Sequence, residues 1–296
     1  LGIMMAVFIS QLFLLLQRVI PKRLITAIVY RLTHLRVQLI KNFLIYSFIK
    51  FYKVDLDEVQ KPVPNGFINF NDFFTRELRS GSRPIDSSDS SIISPVDGFT
   101  SAIGRIKKNA LWQAKDYEYS LEDLLVTDLD EAQRYYEGSF VTIYLAPFNY
   151  HRVHAPLAGE LISAHFIPGT LFNVSQMTVP FLRGLFTRNE RLICHFRTAV
   201  GPMILIFVGA LNVGSITTPW TGEINPRTRH VVENIKLQSS SQPKTVNKGD
   251  LLGWFNMGST IILLLPPRVC AWRPGLKSGD LLKVGESLGR ITKQDT

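Results

Sequence analysis

"FNMGSTIILLLPP", Phe255–Pro267, is the stretch on which the fold turns. Its second half is five consecutive aliphatic residues closed by two prolines, the pattern of a short strand buried on both faces. Its first half sets a small Gly-Ser-Thr triplet directly before that strand. A turn would account for the triplet, and so would a serine meant to react. Upstream the same texture recurs from "IISPVDG" onward: "FVTIYLAP", "GELISAHFIPG", "RLICHFRT" and "GPMILIFVGALNVGSI" alternate with Gly, Pro and Asn. These predict many short strands. Helices are expected near "SLEDLL" and "NVSQMTVPFLRGLF", and a short one at "FNDFFTREL" capped by Asn71 or Asp72.

The N-terminal part reads differently. Residues 1–54 carry eight basic side chains (Arg18, Lys22, Arg23, Arg31, Arg36, Lys41, Lys50, Lys53) and no acidic one. Without them the 33 Lys and Arg fall to 25 against 24 Asp and Glu, so eight of the nine net positive charges belong to this segment. Its basic residues alternate with Leu, Ile, Val and Phe rather than with polar or stacking groups. That favours an anionic lipid surface over nucleic acid, with a solvated basic face as the plainer alternative. Apolar positions at Leu24, Ile25, Ile28, Val29, Leu32 and Leu35, then Leu39, Ile40, Phe43 and Leu44, keep helical spacing after Pro21. Residues 3–16 are apolar but interrupted by Ser10 and Gln11, short of the roughly 20 residues a span needs. They are expected to lie in or dip into one leaflet. The chain opens on Leu1, which makes a longer natural start an expectation.

The fold class expected is α+β: an amphipathic helical, membrane-associating segment over residues 1–60, then a β-rich catalytic body over 61–296. Cys194 and Cys270 form no Cys-x-x-Cys, so neither a disulfide framework nor a zinc site is expected, and a reducing compartment is.

Three patches carry candidate chemistry. Asp97 precedes Gly98 in "SPVDG", where a turn aspartate is the plain reading. His151 and His154 in "YHRVHAP" sit three apart. On an extended strand that spacing puts them on opposite faces, where they would do different jobs; on a helical turn it would suit a metal, but no third ligand lies close by. Ser259 in "MGST" needs a base and an orienting carboxylate to become nucleophilic. Asp97 and one of the histidines could supply them, though without a Gly-x-Ser-x-Gly elbow. Ser215 in "NVGSI" is a second Gly-Ser that chemistry alone does not separate from Ser259. His34, His165, His195 and His230 have no comparable setting.

Eight motifs recur in order along nearly the whole chain: "FNDFFTREL" (70–78), "RPID" (83–86), "SPVDG" (94–98), "YHRVHAP" (150–156), "LFNV" (171–174), "RNER" (188–191), "VGALNVGSI" (208–216) and "KGDLLGWFNMGST" (248–260). In this the chain resembles the bacterial, membrane-bound phosphatidylserine decarboxylases. It departs in Met257, where Leu often stands, and in Asn149, where Asp commonly precedes Tyr-His-Arg.

The resemblance implies self-cleavage between Gly258 and Ser259, giving a β chain 1–258 and an α chain 259–296 that begins with a pyruvoyl group made from Ser259. It implies a triad of Asp97, His154 and Ser259 for the cut, and His151 for decarboxylation. The pyruvoyl group would serve as the covalent cofactor, with no metal and no pyridoxal phosphate. The implied partners are phosphatidylserine, the two cleaved chains and a second copy in a homodimer, and not nucleic acid. The implied location is peripheral on the cytoplasmic face of the cell membrane, in phospholipid biosynthesis. Gly258 is expected because a Cβ would obstruct the strained attack geometry. Two other readings remain: a serine hydrolase acting on lipid esters with an uncut Asp/His/Ser triad, and a membrane-binding protein without activity.

Overall fold

A computed structural model describes residues 17, 19–114, 117–127, 129–175, 178–211, 215–224, 232–235, 237 and 244–292. The aliphatic run after the Gly-Ser-Thr triplet forms the strand Ser259–Leu265, all seven residues buried. It lies inside a nine-stranded sheet, between Gly201–Val208 on one side and Ser139–Leu145 on the other, antiparallel to both. The sheet continues through Arg191–Thr198 and Gly159–Ile167 to Glu233–Ile235 on one flank. On the other it continues through Gly98–Arg105 to Leu281–Leu282. Its inner strands are dense in Ile, Leu, Val and Phe with little polar alternation, because they are covered on both faces. The architecture is α+β and β-rich, as the strand texture predicts.

A second sheet of four strands, ordered Gly222–Ile224, Ile216–Thr218, Leu251–Phe255, Arg152–His154, adjoins the first. Two segments pass from one sheet to the other. Residues 146–151 link Ser139–Leu145 to Arg152–His154, and residues 256–258 link Leu251–Phe255 to Ser259–Leu265. The crossings run side by side. Ser259 pairs with Leu145, and four residues earlier the Phe255 amide donates to the His151 carbonyl at 3.2 Å. Each strand's change of sheet thus brings the histidine patch to the Gly-Ser bond.

Two expected helices differ in detail. The Phe70–Phe74 helix is capped by Asn69, whose Oδ1 accepts from the Asp72 amide at 2.9 Å, and not by Asn71 or Asp72. Asn69 holds the extended φ/ψ that a cap requires, while Asn71 and Asp72 already lie inside the helix. In "NVSQMTVPFLRGLF" the only helix among the described residues is Leu185–Arg188. Pro180 removes a backbone donor and Gly184 sits at φ 64, so the preceding residues turn instead. The helix at "SLEDLL" is Leu121–Leu125, capped by Ser120.

The basic segment forms helices Lys22–Thr33, opened by Pro21, and Gln38–Tyr52. Many of their apolar residues point away from the protein: Leu24, Ile28, Leu39, Phe43 and Phe51 are exposed, Leu39 to 83%. The inward contacts come from the other side. Ile45 is buried with Phe67, Phe70, Phe73 and Phe74 in a small core, against which Phe48, Tyr52 and Met257 also pack. No helix among the described residues is long and apolar enough to cross a membrane. The leaflet-dipping reading of residues 3–16 lies outside the described residues.

Candidate active site

Ser259 opens the central strand and is 1% exposed, and its Oγ meets no hydrogen-bond partner among the described residues. A buried hydroxyl left unpaired is costly, and Ser259 shares that state with Ser91, Thr100, Tyr119, Thr142 and Thr260. Ser215 shows the alternative. Its Oγ donates to Glu223 at 2.5 Å and accepts from Asn256 Nδ2 at 2.7 Å, so it is a structural serine. Geometry separates the two Gly-Ser pairs that sequence could not.

Ser259, Gly258 and Met257 line a cavity of about 280 Å³ whose walls include Phe48, Phe74 and Pro147. In the uncut chain the strained backbone near the scissile bond lies one residue before Gly258. A Cβ on Gly258 would meet only the Leu145 carbonyl oxygen, at 3.9 Å, an ordinary contact, so crowding does not require glycine there in the uncut chain. The residue in the unfavourable region is Met257, at φ 104. Such backbone costs of order 1–3 kcal/mol and persists only when its surroundings hold it. Asn256 does much of the holding. Its amide donates to the Ser215 carbonyl at 3.0 Å and its Oδ1 accepts from Asn71 at 2.9 Å.

The two histidines occupy different surroundings, as an extended spacing predicts. His151 is fully buried and stacks on Phe74 with ring centroids 4.1 Å apart. Its Nε2 lies 3.2 Å from the Pro147 carbonyl, which can only accept, so Nε2 carries the proton. Nδ1 then carries the lone pair, buried and without a hydrogen-bond partner among the described residues. His154 Nδ1 lies 2.8 Å from the Gly249 carbonyl and carries its proton by the same argument. Its Nε2 accepts from the Tyr150 hydroxyl at 3.1 Å. Burial pushes the Tyr150 pKa up to about 12, so this donor keeps its proton at neutral pH.

Asp97 is buried beside a guanidinium. Arg83 donates to it from Nε at 2.9 and 3.0 Å and from Nη2 at 2.6 Å, and the Val284 amide donates at 2.8 Å. Burial opposes charge on Arg83, yet its hydrogen bonds to Asp97 and Glu58 raise its pKa above the ordinary arginine value. Asp97 is drawn near His154 through the backbone, where the His154 amide donates to the Pro95 carbonyl at 2.8 Å. The fold therefore sets Asp97 near His154, while His151 and Ser259 lie on the two adjacent crossings between the sheets. None of the side-chain hydrogen bonds among the described residues joins two of the four.

Sequence reading did not single out Arg83, Tyr150 or Phe74. Arg83 stood in "RPID" and Phe74 in "FNDFFTREL", but their partners lie far along the chain. Asn149, the departure beside the histidines, closes the turn by accepting from the Ala146 amide at 2.8 Å through Oδ1. An aspartate oxygen would serve there equally.

Burial, with the charge of Arg76 second, lowers the His151 pKa from 6.5 to about 3. The imidazole is therefore neutral at physiological pH. Unfolding restores the ordinary value, so between about pH 6.5 and 3 the unfolded chain binds a proton that the native chain refuses. Stability is accordingly full above that range and falls with acidification, by at most about 1.4 kcal/mol per pH unit from this group. Urea unfolding between about pH 5 and 7 should register the loss, and His151→Gln should flatten it by about one proton. An equally steep dependence in the variant would contradict a buried neutral imidazole.

Comparison with known proteins identifies the family. A family model described as phosphatidylserine decarboxylase matches residues 70–290, and one described as PSD matches residues 12–53. The chain is 40% identical over 287 residues to a phosphatidylserine decarboxylase proenzyme of Saccharophagus degradans, covering 96% of this chain and 99% of that one. It is 42% identical over 285 residues to a protein of the same description in Methylococcus capsulatus, covering 96% and 98%. A match over most of the chain, together with relatives of this identity end to end, shows that the chain belongs to the phosphatidylserine decarboxylase family of enzymes.

Proposed function

We propose that this chain is a proenzyme that cuts itself between Gly258 and Ser259, and that the cut form converts phosphatidylserine to phosphatidylethanolamine in phospholipid biosynthesis. The observation that carries the reading is the buried, unengaged Ser259 hydroxyl beside the strained Met257. The family's relatives bear the description proenzyme, which supports it.

In the cut, Ser259 Oγ attacks the Gly258 carbonyl carbon, the Gly258–Ser259 C–N bond breaks, and an ester replaces the amide. A histidine removes the hydroxyl proton. We assign this to His154 with Asp97 as its orienting carboxylate, following the family pattern. For His154 to do so, Tyr150 must first give up its hydrogen bond to Nε2. Loss of the Ser259 α-proton then expels the Gly258 carboxylate. Water adds to the dehydroalanine left behind, ammonia departs, and a pyruvoyl group remains.

The residues present fit that group: a glycine with open space precedes the serine, and the hydroxyl faces no competing partner. When formed, the group supplies a carbonyl that engages the substrate amine and withdraws electrons as carbon dioxide leaves. The chain's own contribution is positional and electrostatic. Phe48, Phe74 and Pro147 give the cavity an apolar wall, and neutral His151 holds or moves a proton through Nδ1. Hydroxylamine, which captures ketones, should abolish turnover of phosphatidylserine. Turnover indifferent to it, or release of fatty acid instead of carbon dioxide, would favour the hydrolase reading.

We further propose that residues 1–60 dock on the bilayer surface peripherally. The exposed apolar residues on the basic helices support this, because each would contribute about 1.5–3 kcal/mol on leaving water. Replacing Leu39 and Phe43 together by Glu should cut partitioning onto anionic vesicles by roughly 100-fold or more. Turnover of a soluble short-chain substrate should change less than about twofold. Equal losses on both substrates would mean that the segment serves folding instead.

A further inference from the structure

Two arginines are buried among the described residues, Arg191 and Arg76, whose charge also reaches His151, and they differ in one respect. Arg191 is 1% exposed and donates to four backbone carbonyls, those of Leu124, Thr187, Asn189 and Asp123. Arg76 is 5% exposed and sets its guanidinium over the Phe73 ring, 5.4 Å from the centroid, but only its Nη2 makes hydrogen bonds, donating to the Phe148 carbonyl at 2.9 Å and the Asn149 carbonyl at 3.5 Å. Its Nε and Nη1 are buried and meet no acceptor among the described residues. A charged donor shut away from water without a partner is among the costliest groups to leave unmade.

No carboxylate among the described residues forms an ion pair with Arg76. Asp97 and Glu58 both bind Arg83 instead, and Glu58 is shared with Lys283. Arg76 faces a cavity of about 190 Å³. The charged lining is four cations (Lys53, Arg76, Arg83, Lys283) against three carboxylates (Asp55, Glu58, Asp97). Phe148 and Asn149 line this cavity, and their neighbour Pro147 lines the one that holds Ser259. Arg76 also stands two residues from Phe74, the ring on which His151 stacks. The open guanidinium thus lies just behind the wall of the reaction cavity.

We propose that Arg76 holds the phosphodiester of the phospholipid headgroup, offering it N–H groups that meet no acceptor among the described residues. This rests on the decarboxylase reading above. The headgroup carries two anions, and the chemistry discriminates between them. A cation on the departing carboxylate would stabilise the ground state and lose its partner as charge leaves, which slows the step. The phosphodiester keeps its charge in substrate and product alike, so a cation there contributes uniform binding.

Arg76→Gln removes the charge and keeps an amide donor for the Phe148 carbonyl. Against soluble dihexanoyl phosphatidylserine it should raise KM about tenfold or more with kcat within about twofold. Glycerophosphoethanolamine, the deacylated product headgroup, should inhibit the wild type competitively and the variant only at about tenfold higher concentration. The fraction of cut chains on a denaturing gel should match the wild type. Unchanged KM and inhibition, or a fall in kcat at constant KM, would overturn the proposal. Inhibition by inorganic phosphate but not by glycerophosphoethanolamine would also overturn it, in favour of a free-anion site. If the Gln variant does not fold or cut, Arg76→Lys, which keeps the charge, is judged by the same comparison of KM and inhibition. A wild type that neither cuts nor decarboxylates would instead remove the functional reading beneath it.

Discussion

Ser259→Ala leaves one uncut chain of 296 residues that does not decarboxylate phosphatidylserine. The expectation is an all-or-none effect, because a single atom is asked to do two things. Ser259 Oγ is the only nucleophile that the reading places at the Gly258 carbonyl, and Ser259 supplies the carbons of the group that later carries the reaction. Its loss is not a stability effect in disguise. The Oγ makes no hydrogen bond, so removing it leaves no partner stranded, and the buried strand should be no less stable. A melting temperature at or above the wild type's, with neither cutting nor activity, is the predicted combination. Normal turnover by Ser259→Ala would contradict the mechanism outright, and an unfolded variant would show that the hydroxyl is structural.

The second large effect divides the histidines. His154→Ala should block the cut and so lose all activity, like Ser259→Ala. His151→Ala should cut, yet decarboxylate about 10²–10⁴-fold more slowly, the range expected when a positioned acid or base is removed. The geometry makes this a severe test. His151 Nδ1 is the bare lone pair in the uncut chain, whereas His154 Nε2 is engaged by Tyr150. If His151→Ala fails to cut and His154→Ala cuts normally, the roles are exchanged. Denaturing gels of both variants over time, with carbon dioxide release from any cut fraction, separate the outcomes. Tyr150→Phe adds a useful control: it removes the hydrogen bond that holds Nε2 and should not slow the cut if Tyr150 merely has to leave.

The part of the fold that sequence reveals is the part determined by side-chain texture. Ile261–Leu265 announces a doubly buried strand because five aliphatic residues in a row cannot be half solvated. The different surroundings of His151 and His154 were legible too, since three residues of extended chain turn side chains to opposite faces. The Asn69 cap was less so. Three polar residues in four positions can all cap, and only the backbone angle selects one. The role of Met257 was hidden for a similar reason. Glycine is the usual tenant of positive φ, yet here Met257 holds it because Asn256, one residue before it, is tied down by Asn71 and Ser215. The open guanidinium of Arg76 and the Arg83–Asp97 pair depend on partners 14 to 73 residues away. No local pattern encodes those contacts.

An intact-mass spectrum of the purified, denatured protein tests the central claim most directly. The account predicts two species, residues 1–258 ending in a free carboxylate and residues 259–296 lighter by one ammonia than the same fragment begun with serine. A single uncut chain, or a 259–296 fragment that still begins with serine, would contradict it.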